Sequence, residues 1–183
     1  MKVEIGKEKA SRLINCGQVI LVTSAYQDKR TITPCAWHMP ISKDPALVAV
    51  ALAKKHFSSQ LIQQSKEFVI NIPSWQILDK VMLCGSMSGR TCDKFSHAGL
   101  TAEKPHKLAV AVPIAESLGT LECGLRESKD AGDHYMFIGE VQYAQADDRF
   151  FINDIWDTET AQLIFHVGGK YFFPSQKTSE FKK

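Results

Sequence analysis

The run Leu47-Val48-Ala49-Val50-Ala51-Leu52-Ala53 constrains this chain more than any other stretch. It is apolar at every position, so both faces of the strand it forms need cover, and its alanines let neighbours approach closely. The strand empties into Lys54-Lys55-His56-Phe57-Ser58-Ser59, after which Leu61 and Ile62 take up helical spacing. Two readings of this junction stand side by side. Lysines, a histidine, hydroxyls and a helix N-terminus are the ingredients of a phosphate cradle, because free backbone N–H groups and the positive end of the helix dipole point the same way. An ordinary surface helix is the plainer reading, with Ser58 as N-cap and Phe57 and Ile62 forming a hydrophobic staple.

The remaining segments define the fold class. Lys7 to Ile14 reads as a short helix with Ala10, Leu13 and Ile14 on one side, and Val19 to Thr23 as a buried strand. Thr31 to Pro40 forms a strand that lies at an edge or breaks at Pro34, since proline cannot donate to a ladder. A break beside Trp37 and His38 leaves backbone groups free to meet a ligand. Ser42 to Pro45 is a turn, and Glu67 to Ile72 is another strand, closed by Pro73. Ser74 caps a helix through Trp75, Ile77, Leu78, Val81 and Met82, followed by a small-residue loop from Cys84 to Arg90 and a helix end at Gly99. A short strand is expected at Leu108 to Val112, a strand from Gly119, a turn at Asp130 to His134, and a strand at Tyr135 to Tyr143. Leu163 to Val167 is strand-like, and the polar end from Ser175 to Lys183 is expected to be mobile. Short apolar strands with hairpin connections, and no strict β-α-β alternation, argue for a mainly β fold with peripheral helices, an α+β barrel, over a doubly wound sheet.

Composition excludes several functions. The 22 basic residues against 20 acidic ones are scattered, which disfavours a nucleic-acid surface. No apolar run reaches the length of a membrane span and no signal-peptide core opens the chain, so a cytoplasmic protein is expected. The five cysteines, Cys16, Cys35, Cys84, Cys92 and Cys123, are dispersed and never spaced C-x-x-C, so free thiols are expected in place of disulfides or a zinc site. At 183 residues, a single domain is expected, with residues 146–183 as a C-terminal extension serving as a lid or dimer arm.

The ordered stretches Thr33-x-x-Ala36-Trp37, Ile41-Ser42-x-Asp44-Pro45-x-Leu47-Val48, Lys54 to Ile62 and Glu67 to Pro73 resemble the flavin reductase-like family of FMN-binding split β-barrels, in particular its flavoredoxin-type members. Ser88-Gly89-Arg90-x-x-Asp93-Lys94-Phe95, Gly99-Leu100-Thr101, Leu121-Glu122-Cys123, Gly132-Asp133-His134 and Gly139-Glu140-Val141 continue the resemblance, which covers residues 8 to 145. It implies a Greek-key-like, homodimeric split barrel holding FMN non-covalently near the subunit interface. Carried over by position, Thr33, Pro34, Cys35, Ala36, Trp37 and His38 line the isoalloxazine, largely through backbone groups, with Ala51 and Leu52 beside them. Lys54, His56 and Ser58 take the phosphate and ribityl end. Ser88, Arg90, Lys94 and Phe95 close over the flavin, and His134 lies close to the ring. Ser58 stands where the family carries threonine, and Lys54-Lys55 where it often carries arginine, so the charge survives without the bidentate fork.

The implied chemistry belongs to the flavin, and no protein acid, base, nucleophile or metal ligand is nominated. A cation near the ring, in the place expected of Lys94, raises the reduction potential. The function implied is an FMN-binding oxidoreductase, either a flavoredoxin-like carrier fed by a redox protein or an NAD(P)H:flavin reductase. The alternative is a non-catalytic flavin-binding or sensing barrel. Plainer structural readings accompany the site residues: Trp37 as a core aromatic, Cys35 as a small buried hydrophobe, His134 as a turn residue bonded to a backbone carbonyl, and Arg90, Asp93 and Lys94 as a solvated ion-pair set.

Overall fold

The computed structural model describes residues 1–179. A 3-10 helix, Lys7–Leu13, precedes β1 (Gly17–Gln18), β2 (Ile20–Tyr26), β3 (Lys29–Cys35), β4 (His38–Lys43) and β5 (Ala46–Ala53). Next come α1 (Phe57–Ser65), β6 (Glu67–Ile72), a 3-10 turn at Trp75–Ile77, α2 (Leu78–Ser86) and α3 (Lys94–Ala98). The long hairpin β7 (Gly119–Ala131) and β8 (His134–Ala146) follows, then β9 (Phe151–Ile152), β10 (Ile155–Trp156), α4 (Thr158–Ala161), β11 (Ile164–Gly168) and β12 (Tyr171–Pro174).

Seven strands form one antiparallel sheet in the order β3-β2-β6-β7-β8-β5-β4. Its two edges, β3 and β4, are consecutive in the chain and joined only by Ala36 and Trp37. A sheet whose opposite edges are tied by two residues has to curl until they meet. The result is a barrel closed covalently but not by a ladder, split along the β3–β4 seam. The stretch from Thr31 to Pro40, expected to lie at an edge or to break at Pro34, lies at the edges and breaks, but the break falls at Ala36 and Trp37, after Pro34, and leaves two strands on opposite edges. Pro34 is tolerated because β3 has only one ladder partner, β2, opposite Leu21.

Alternation on β2 explains its apolar run. Ile20 and Val22 point into the barrel with Val50, Leu52, Phe68, Ile70 and Phe137, whereas Leu21 faces a second core with Ile32, Val81, Phe95 and Leu100 beneath α2 and α3. On β5, Val50 and Leu52 fill the barrel while Ala49 and Ala51 floor a shallow recess beside Trp37 and Met136. The strand is thus covered on one side by core and on the other by the seam. Gly139 is required by close approach: a Cβ there would strike the Phe68 ring and come within 2.9 Å of Cys123 Cβ.

Several local expectations change. The segment Lys7–Leu13 is a 3-10 helix with no buried residue, because its apolar side meets nothing to pack on. Residues 108–112 are not a strand; the N–H groups of 106–111 are captured by side chains of the barrel wall. Glu122 accepts from His106, Lys107 and Leu108 at 2.7, 2.7 and 3.1 Å, and Glu67 from Ala109, Val110 and Ala111 at 2.9, 2.9 and 3.1 Å. Asn71 Oδ1 accepts from Ile114 N at 2.8 Å, so three strand side chains pin one long strap. The turn at residues 130–134 tightens to Gly132 and Asp133, with Gly132 at φ 67°. Within 158–174, Ala161 and Leu163 enter the core, and β11 pairs with β1 and β12; the end of the polar stretch from Ser175 to Lys183, expected to be mobile, lies outside the described residues.

Candidate functional site

Three depressions adjoin one another beside the seam. The largest, about 420 Å³, lies between β3, the start of α1 and the end of α2 with the loop after it. It adjoins a recess of about 140 Å³ through Pro34 and His56. That recess, lined by Pro34, Cys35, Ala36, Trp37, Ala51, Leu52, Ala53, His56 and His134, continues through Trp37 and Ala51 into a second of about 140 Å³ with His38, Met39 and Met136.

The large cavity has a cationic, donor-rich wall. Strand parity on β3 turns Thr31 and Thr33 toward it, and Lys55, His56 and Phe57 bring the start of α1. His56 is the N-cap residue and supplies no side-chain cap, so the first-turn N–H groups lack a capping acceptor beside the cavity. Ser58 is therefore not the cap and Phe57 is not a staple residue outside the helix. Ser58 is the second helical residue, fully buried, and accepts a 3.0 Å bond from Thr33 Oγ1. Ser59 donates to Ala53 O at 2.9 Å. These small, bonded side chains let α1 press onto the strands, which places Ser58 behind the wall with Thr33 in front.

Lys94 dominates the electrostatics. Asp93 caps α3, accepting from Phe95 N at 3.1 Å and Ser96 Oγ at 3.0 Å, and pairs with Arg30 at 2.8 Å. The helix start so fixed directs Lys94 inward, where Nζ donates to Ile32 O at 2.8 Å and Cys84 O at 2.6 Å. It is 5% exposed and lines the cavity, and among the described residues no carboxylate lies within 4.0 Å of it. Burial pushes its pKa below the ordinary lysine value. His56 is also pushed down, first by burial and then by Lys55, Lys94 and His134. A buried lysine beside a histidine whose protonation the neighbouring cations oppose makes a site of positive potential that an anion relieves.

The recesses are nearly uncharged. Cys35 is buried, donates weakly to Trp37 O and Ala51 O, and has its pKa raised by burial to about 11, so it is an inert thiol whose backbone forms the wall. Trp37 is no core aromatic. Its indole is 42% exposed, bonds Asn15 Oδ1 at 2.9 Å through Nε1 and lies 4.9 Å from the His134 ring. His134 meets the Asp133 carboxylate at 2.6 Å, not a backbone carbonyl. His38 bonds Gln18 O at 2.8 Å, and burial holds its pKa down.

Several expected site residues sit elsewhere. Lys54 turns to Asp130 at 2.5 Å and lies 5.3 Å from the Tyr135 ring, while Lys55 lines the cavity. Phe95 is 2% exposed in the second core, under the Arg30 guanidinium at 4.5 Å, and does not reach the seam. Arg90 holds its guanidinium carbon over the Phe57 ring at 4.8 Å, bonds Gln60 Oε1 at 2.8 Å and faces a separate outer cavity. Lys94 is buried, not part of a solvated ion-pair set, and lies in the large cavity instead of the Trp37 recess. Ser88 lines the large cavity as expected. Thr31 is a lining residue that two-residue parity with Thr33 could have found, and of the lysine pair named in the sequence it is Lys55, not Lys54, that lines the cavity, a distinction nothing local makes.

A barrel split along one seam, with a cationic cavity continuous with an apolar recess, defines a protein class built to hold a ligand with an anionic end and a planar apolar end. The chain belongs to the flavin reductase-like domain family, which residues 12–167 match. The uncharacterized protein YddH of Escherichia coli K12 is 31% identical over 180 residues, covering 96% of this chain and 95% of its own. The fold is shared with a flavoredoxin from Methanosarcina acetivorans, with a TM-score of 0.88 at 20% identity over 99% of this chain and 95% of the other. It is shared too with an FMN-binding protein from Thermus thermophilus, with a TM-score of 0.87 at 20% identity over 100% and 99%. The split-barrel expectation is met. Among the described residues, no helix is long and apolar enough to cross a membrane and no cluster of three His, Cys, Asp or Glu residues is set to hold a metal.

Proposed function

We propose that this chain is an oxidoreductase that binds FMN non-covalently along the β3–β4 seam and passes electrons through it. The observation that carries this reading is Lys94: a buried ammonium without a carboxylate partner, facing a large cavity. A buried cation left uncompensated is costly, and a phosphate dianion would compensate it. Thr31, Thr33, Lys55 and the uncapped start of α1 supply further donors on the same wall. The cavity's volume of about 420 Å³ falls in the roughly 300–1,000 Å³ range of cofactor sites. The residues present therefore fit FMN, with the phosphate toward Lys94 and Lys55 and the ring toward Pro34, Cys35, Ala36 and Trp37.

Bound FMN supplies hydride and single-electron chemistry, which no side chain here offers. The chain's own work is positional. The backbone at Cys35, Ala36 and Trp37 bridges the two sheet edges and lines the recess that would take the ring. The indole of Trp37, held by Asn15 and packed near His134, shields one end of the recess from water. Trp37, Met39 and Ile41, 42%, 53% and 40% exposed on and beside the edge strand β4, support a homodimer in which a second copy covers the seam. The domain would then be one cytoplasmic unit spanning 1–183. Its electron donor is either NAD(P)H or a redox protein.

The absorbance spectrum of the purified protein, before and after adding FMN, tests the reading. A flavin band that survives desalting is expected. No retained flavin after reconstitution overturns it. Steady-state NADH and NADPH oxidation then separates the reductase from the carrier, for which the flavin is reducible without turnover by either nucleotide.

A further inference from the structure

Two hydrogen bonds converge on Asn15, between the 3-10 helix and β1, and they fix which way its amide points. Trp37 Nε1–H donates to Asn15 Oδ1 at 2.9 Å, so the NH2 is the end that meets His166 Nδ1 at 3.4 Å. An amide NH2 only donates, so Nδ1 accepts and carries no proton. The other ring nitrogen agrees: Nε2 lies 3.1 Å from Gly169 O, and a carbonyl only accepts, so the proton sits there. The arrangement therefore needs His166 in one form, the neutral Nε2–H tautomer.

The relay begins on β11 and ends at the flavin recess. His166 stands opposite Gly17 of β1 and Phe172 of β12. β1 is clamped to the seam: a Cβ on Gly17 would come within 2.6 Å of Ala36 O, and Gln18 O accepts from His38 Nε2 at 2.8 Å. Asn15 is thus held beside the bridge whose second residue, Trp37, lines both recesses. The half-exposed indole has no polar anchor other than Asn15 among the described residues.

Protonating His166 turns Nδ1 into a second donor, aimed at the NH2 of Asn15. Turning the amide over relieves that clash but sets the NH2 against the indole N–H. One amide cannot serve two donors with its single oxygen in this geometry, so Trp37 loses its bond. We propose that His166 positions Trp37 through Asn15, holding the indole at the recess when neutral and releasing it when protonated. The consequence for flavin rests on the FMN reading; the relay itself does not. Histidine side chains change charge between about pH 5 and 8. The other titratable groups on the elements around the relay are Cys16, Lys170, Tyr171, His38 and the His134–Asp133 pair. Among the described residues, no carboxylate lies within 4.0 Å of His166.

The test is fluorine NMR of the flavin-free full chain labelled with fluorotryptophan. Its three tryptophans give three resonances, that of Trp37 being assigned with Trp37→Phe. Trp75 and Trp156 pack against the cores and report folding in every variant. The Trp37 resonance should move between pH 8 and 5, about the histidine range, in the wild type. In Asn15→Leu it should sit at the released position throughout. His166→Asn keeps an acceptor near the place of Nδ1 and should hold the indole at both pH values. Asn15→Asp accepts from both neighbours, so acid should no longer release Trp37. FMN titration reads the consequence: at pH 5 the wild type should bind about fivefold more weakly than His166→Asn, the scale of one neutral hydrogen bond, and at pH 8 equally well. An acid shift that persists in His166→Asn assigns the effect to His134 or His38 and overturns the relay, as does a Trp37 resonance unmoved in Asn15→Leu. Failure of the wild type to bind FMN removes the functional reading and leaves the flavin-free result standing.

Discussion

Replacing Lys94 by methionine separates the stability of the barrel from its affinity for flavin. The substitution keeps the length of the side chain and removes the charge. In the flavin-free protein it deletes the bonds to Ile32 O and Cys84 O, at 2.8 and 2.6 Å. Hydrogen bonds from a charged donor contribute about 1.5–3 kcal/mol each, so this loss is roughly 3–6 kcal/mol. Against it stands the removal of an ammonium 5% exposed and unpaired, whose desolvation costs several kcal/mol. The two nearly offset, and urea denaturation of the flavin-free protein should move by no more than about 2 kcal/mol, the scale of one such bond. Affinity has no such offset. With the ligand's phosphate deprived of a charge-assisted bond, FMN binding should weaken by about 1.5–3 kcal/mol, roughly 10- to 100-fold in Kd. Burial lowers the folded-state pKa of Lys94 below its unfolded value. Between those two pKa values the unfolded chain binds more protons, so wild-type stability gains with rising pH in that window, up to the ordinary lysine value of 10.5. The difference in melting temperature between wild type and variant, scanned from neutral pH into the window, isolates this contribution. An FMN affinity within threefold of wild type would refute the argument that Lys94 awaits an anion.

The other expectations concern the frame around the site. Glu122→Gln should destabilise the fold by about 2–4 kcal/mol in urea denaturation, because the fully buried carboxylate accepts from three backbone N–H groups and an amide puts an NH2 against one side of them. Amide exchange at 106–108 should quicken in that variant, and unchanged protection there would count against the strap. Gly139→Ala should cost about 1–3 kcal/mol through collision with Phe68 while leaving FMN affinity alone, and a neutral result would mean that the ring moves aside freely. Gly89→Ala should weaken FMN severalfold, since the new methyl meets Thr31 and Phe57 on the cavity wall and the loop has to lift. Equal affinity in a flavin titration would mean the loop does not help form the wall. As pH rises through the depressed pKa of Lys94, FMN affinity should fall in the wild type and not in Lys94→Met, since the anion favours the protonated lysine. Parallel pH profiles of Kd would exclude Lys94 as the cause.

Much of this was legible one segment at a time. The apolar runs at β2, β5 and β6 are strands because their alternate residues feed packed cores, and Pro34 marked an edge because a proline tolerates only one ladder partner. The order of short motifs identified the family where no single motif could. Failures cluster where a residue's role depends on what lies opposite. Leu108 to Val112 has strand composition, yet Glu67 and Glu122, far away in the chain, take the N–H groups a ladder would use. Ser58 has the composition of a cap, but the closeness of α1 to β3 makes it a buried partner of Thr33.

By itself, the sequence determined the class of the fold, the position of the strand-to-helix junction at Lys54–Ile62 and the kinds of side chain gathered near it, because these follow from local periodicity and from residue chemistry. Only the tertiary structure decided which of those side chains share a cavity. Lys54 and Lys55 are indistinguishable in the chain, yet one is neutralised by Asp130 across the β7–β8 hairpin and the other lines the cavity with Lys94. Lys94 could be a surface lysine on any short helix. It becomes a buried, unpaired cation because Asp93, Arg30, α2 and the curl of β3 converge on it, and that convergence is a property of the closed barrel alone.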